Sequence, residues 1–103
     1  MKVLDHEPHA WFLLDDNGAL YLDAHCSLSV LDYSVLIALD AEETSAYRAE
    51  GRPYLDALAQ RIHNSAPAAA SSTSPYRARN LAVGPSAEGA SAAIAAWLCQ
   101  SQS

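Results

Sequence analysis

A chain of 103 residues has room for one modest hydrophobic core, and a net charge of −6 leaves it no broad basic surface to follow a phosphate backbone. That balance argues against nucleic-acid partners and anionic membrane surfaces, and no window is apolar for long enough to span a bilayer. Cys26 and Cys99 make neither a disulfide framework nor a zinc motif, so the residues predict one soluble cytoplasmic domain over 1–103 with buried, reduced thiols.

The charge is uneven. Residues 1–56 hold eleven acids against Lys2, Arg48 and Arg52, a net of −8; residues 57–103 hold Glu88 against Arg61, Arg77 and Arg79, a net of +2. An acidic solvated surface explains this, and so does attraction between unlike faces of two copies.

The chain opens without the apolar stretch of a leader: Met1-Lys2-Val3-Leu4 runs straight into Asp5-His6-Glu7-Pro8-His9. Those five residues include four possible ligands, with His6 and His9 the candidates for zinc, nickel or copper. Pro8 disfavours a helix, and further ligands must come from elsewhere, so the competing reading is a polar lead-in to the first strand.

Next comes a β-hairpin. Residues 10–14 and 19–26 flank Asp15-Asp16-Asn17-Gly18, and Asn-Gly suits the two positive-φ positions of a type I′ turn. With that loop, Asp16 pairs with Ala19, Leu14 with Tyr21, Leu13 with Leu22, Phe12 with Asp23, Trp11 with Ala24 and Ala10 with His25. Leu20, Leu22, Ala24 and Cys26 form a core face. The opposite face mixes Phe12, Leu14 and Tyr21 with Asp23 and His25. A third strand over 33–39 is also apolar on both sides, with Tyr33, Val35, Ile37 and Leu39 opposed to Leu36 and Ala38. Strands apolar on both faces need cover on both, and a second subunit is one source of it.

Asp40 is a favoured N-cap with Glu43 at the capping-box position. The helical pattern runs to about His63, its apolar stripe being Leu55, Leu58, Ala59 and Ile62; Gly51-Arg52-Pro53 favours two segments over one kinked helix. Residues 65–75 are Ala, Ser and Pro with little to bury, and read as a flexible loop. Residues 76–83 read as an edge strand carrying Arg77 and Arg79 on one side. A last helix follows from Ser86 as N-cap, with Ala90, Ala93, Ile94, Trp97 and Leu98 on one face.

The pattern predicts an α+β fold: a small antiparallel sheet of three to four strands, in the order β-β-β-α-(α)-β-α, with helices against it. No motif calls for a cofactor or assembles a catalytic set. His25 and Cys26 are sequence neighbours that a strand points to opposite faces, so they do not form a base–nucleophile pair. Cys99 reads as packing or as terminal decoration. The remaining candidates are a weak ligand face of Tyr21, Asp23 and His25 with Arg77 and Arg79, and the metal pair His6 and His9. The leading functional expectation is a non-catalytic interaction module that pairs with itself or another protein; the alternative is a small-ligand or metal-binding protein.

Overall fold

The computed structural model describes residues 1–7, 10–28, 31–65, 76, 79–81 and 85–101, and among them four strands and three helices have defined bounds. The strands are β1 (Lys2–Glu7), β2 (Trp11–Asp16), β3 (Ala19–Leu28) and β4 (Leu31–Ala38), and the helices are α1 (Ala41–Glu50), α2 (Arg52–Asn64) and α3 (Pro85–Ser101). The sheet is antiparallel throughout, in the order β1-β2-β3-β4. The expected α+β class therefore holds.

The β2–β3 register is the one the Asn-Gly loop dictates, from Asp16 opposite Ala19 to Trp11 opposite Ala24. Asn17 and Gly18 take φ of 54° and 92°, as a type I′ turn demands, and Asp15 Oδ1 accepts the Gly18 N–H at 3.0 Å. Alternation then sorts the side chains. Trp11, Leu13, Leu22, Ala24, Cys26, Val35 and Ile37 face α2 and pack with Leu55, Leu58, Ala59 and Ile62, all buried. At about 1.5–3 kcal/mol for each fully buried large apolar side chain, this cluster dominates the fold's stability.

The other face carries Leu14 and Leu36 with Val3, Phe12 and Tyr21 around them, and α3 closes it through Ala90, Ala93 and Ile94. α3 of the same chain thus covers this part of the second face. α1 and α2 are separate helices, with Gly51 at φ 74° between them and Pro53 in the first turn of α2, where its missing N–H costs nothing. The Asp40–Glu43 capping box is made in both directions, at 2.8 and 2.9 Å. α3 begins at Pro85, which places Ser86 inside the helix instead of at its cap.

The sheet's composition departs from expectation at both edges. The polar lead-in is a strand, β1, whose period-two signal is broken by a bulge: Val3 pairs with Leu14 and Asp5 with Leu13, leaving Leu4 out of the ladder and 45% exposed. Where residues 76–83 were expected to form an edge strand, Tyr76 and Arg79 are helical and the other described residues, Asn80 and Leu81, cap the edge of β4. Asn80 Oδ1 accepts the Leu36 N–H at 3.1 Å, and the Leu81 N–H reaches Leu36 O at 2.7 Å. A side chain and one amide satisfy that edge in place of a ladder. The Ala/Ser/Pro stretch at 66–75 lies outside the described residues. Cys26 is buried as expected, whereas Cys99 is exposed.

Candidate ligand cleft

Between α3 and one end of the sheet lies a cleft of about 410 Å³. Each wall follows from strand parity. Phe12 on β2, Asp23 and His25 on β3 and Ser34 on β4 stand on the α3 face; β1 adds His6, and α3 supplies Ile94 and Leu98 from above. The bulge at Leu4 is what puts His6 on this side, since it shifts the parity of β1 and aligns His6 with Phe12.

The rings make a fixed wall. His6 stacks on Phe12 with centroids 5.0 Å apart at 29°, and lies 4.4 Å from the Trp97 ring. Trp97 meets Phe12 edge-on at 5.7 Å. These separations are those of favourable aromatic pairs, so His6 serves here as a packed ring.

Asp23 is the group with unusual electrostatics. Desolvation by burial pushes its pKa up to about 6, with the charge of His25 pulling partly the other way. A carboxyl so placed changes charge close to neutrality, the behaviour that marks functional sites more often than structural ones. His25 is exposed at the cleft mouth, its backbone N–H held by Ala10 O at 2.8 Å. Ser34 pairs with His25 across the β3–β4 ladder. Cys26 faces the opposite, α2 side; burial raises its thiol pKa, and a core thiol of that kind is inert.

A second cleft, of about 350 Å³, opens on the α2 face of the same sheet end. It is bounded by Asp56, Gln60 and His63 of α2, and it shares Ala10, Trp11 and His25 with the first. Its acid is already engaged: Asp56 Oδ1 accepts the Trp11 indole N–H at 2.8 Å.

The sequence candidates separate. Asp23 and His25 come together in the cleft. Tyr21 lies farther along the same face, packed on the cluster of Leu14, Leu36 and Ala90. Arg79 is at the other end of β4, where it holds both Glu43 carboxylate oxygens and the Ala38 carbonyl. That ion pair holds Glu43 below its ordinary value against the upward pull of its own burial. Arg77 and His9 lie outside the described residues. Among the described residues no three His, Cys, Asp or Glu side chains converge as a metal site would need. Ser34, Phe12, Ile94 and Leu98 were not singled out as site residues. Their sequence signals were the two-sidedness of the strands and the apolar face of the last helix, which say that a face is covered and not that the cover leaves a gap.

The chain matches no family model, no curated protein and no solved structure. Among the described residues no helix is long and apolar enough to cross a membrane.

Proposed function

We propose that this protein is a non-catalytic binding module that takes a small ligand into the cleft between α3 and the sheet. The observation that carries this reading is Asp23: a desolvated carboxylate in a cleft that it shares with Phe12, Ile94 and Leu98. Apolar walls with a few convergent polar groups are the usual make-up of small-molecule sites. The test is chemical-shift mapping against a fragment library. Binders that move Asp23, His25, Ser34, Ile94 and Leu98 together support the cleft; a library that finds no binder, or only binders mapping elsewhere, removes it.

A second reading, self-association, draws on the outer side of α3. Ser91, Ala92, Ala95, Ala96, Leu98 and Cys99 are exposed there, and Glu88 is the only charged side chain of the helix. On a chain of net charge −6, a neutral face of small residues is where two copies approach with least repulsion. Light scattering coupled to size exclusion decides it: a dimer that Ala95→Glu splits supports this reading, and a strict monomer at high concentration overturns it. We place the protein in a reducing compartment such as the cytoplasm, where free Cys26 and Cys99 are stable as thiols.

A further inference from the structure

Among the described residues, Asp23 is the one acidic side chain lining the cleft, and neither lysine nor arginine lines it. Its surroundings follow from the four elements packed about it. β3 brings His25 and β1 brings His6, whose ring stacks on Phe12 and packs at a tilt against Trp97. β4 contributes Ser34, and α3 contributes Ile94 and Leu98, none of them charged. Asp56 and Glu43 are engaged by Trp11 and Arg79, whereas among the described residues the charge that acts on Asp23 is that of His25, itself exposed at the cleft mouth, and it only partly offsets the desolvation.

Resting on the reading of this cleft as a ligand site, we infer that its ligand is a small organic cation, an ammonium or amidinium borne on an aromatic or branched apolar group, with the charge seated on Asp23. Three features select that class. A desolvated carboxylate is destabilised until an opposite charge reaches it, so a cation recovers energy there that a neutral ligand leaves unclaimed and an anion makes worse. Phe12, held in place by His6 and Trp97, lines the same cleft and offers an apolar contact for the ligand's aromatic or branched group. The first 56 residues carry a net of −8, a field that gathers cations and repels anions before contact. Protonation of Asp23 near pH 6 then competes directly with the ligand.

The experiment is isothermal titration with three probes of similar shape: phenethylammonium, 3-phenylpropan-1-ol and 3-phenylpropionate. Each is measured at pH 7.5 and 5.0 against the native chain, Asp23→Asn and Ser34→Trp. The expected order is ammonium at least tenfold tighter than the alcohol, with the propionate weakest. Asp23→Asn brings the ammonium to the affinity of the alcohol and leaves the alcohol unchanged, and pH 5.0 weakens the ammonium alone. Ser34→Trp, which fills the mouth, blocks all three. Equal affinities for ammonium and alcohol, both lost in Ser34→Trp, overturn the cation assignment and keep the ligand cleft. Absence of binding by every probe, or binding that Ser34→Trp leaves intact, overturns both. Near-UV circular dichroism establishes that each variant is folded, and Asp23→Ser repeats the charge removal if Asp23→Asn is not.

Discussion

The indole N–H of Trp11 donates to the Asp56 carboxylate at 2.8 Å, joining β2 to α2 where the two clefts meet. Trp11 is only 1% exposed, so its N–H has little access to water if the acceptor is lost. Asp56→Ala is expected to cost about 1–3 kcal/mol in urea unfolding, the penalty for an unsatisfied buried donor. Asp56→Asn keeps an oxygen in place and should cost clearly less. Equal losses in the two variants would mean that the hydrogen bond is not what the aspartate contributes.

Asp23 sets an unusual pH dependence. Its pKa is about 6 in the folded chain against an ordinary 3.8, so the native state holds the proton more tightly than the unfolded one. Stability from this group is therefore greatest below about pH 4 and falls as pH rises through 6, by an amount on the order of 2–3 kcal/mol. Asp23→Asn, which cannot ionise, should be more stable than the native chain at pH 7.5, with the difference closing towards pH 4. Paired urea melts across that range measure it, and a variant less stable at pH 7.5 than at pH 4 relative to the native chain would contradict the sign.

Arg79 and Arg52 both bridge distant elements, yet their contributions should differ. Arg79 grips Glu43 with both nitrogens on a carboxylate that is 12% exposed, whereas Arg52, itself 45% exposed, reaches Asp5 and Glu7 in solvent. Double-mutant cycles are expected to give a coupling of about 1–2 kcal/mol for Arg79–Glu43 and under about 1 kcal/mol for Arg52–Glu7. Glu43 is held below its ordinary pKa, so the first coupling is present at neutral pH and disappears as pH falls through the folded value.

Two helices cover the sheet unequally. α2 buries Leu55, Leu58, Ala59 and Ile62, whereas Ala90 is the buried side chain among those described on α3. Hydrogen exchange should therefore show α3 amides opening well before those of α2 and β3. Protection of α3 equal to α2 would indicate that something beyond this chain's own sheet holds it down. That result would favour the self-associating reading.

Legibility in the sequence followed the strength of local chemistry. Asn17-Gly18 determined a six-pair register because only such a turn tolerates two positive φ angles, and Asp40 with Glu43 marked a helix start because both capping bonds are local. The stripe of Leu55, Leu58, Ala59 and Ile62 was equally readable from its spacing. β1 was not, since an unpaired Leu4 breaks the alternation by which a strand is recognised. Residues 76–83 misled for the opposite reason: Leu81 and its neighbours have strand-like composition, but Asn80 closes the edge of β4 through its side chain. Asp23 and His25 were placed on one face correctly, while Arg79 was drawn towards them only because no sequence pattern told of Glu43 waiting at the far end of β4.

Leu4 gives β1 a constraint that concerns count more than character. A strand alternates its sides in twos, and without the extra residue Val3 and His6 fall on opposite sides of the sheet. Because the side chain at position 4 stands largely in solvent, many replacements there are compatible with the fold. Removing the residue altogether is different. A chain one residue shorter at that point must give up either Val3 beneath α3 or His6 beside Phe12, and with His6 the ring wall of the cleft. Position 4 is thus tolerant of substitution and intolerant of deletion, so its freedom to vary in kind conceals a strict requirement that it be there.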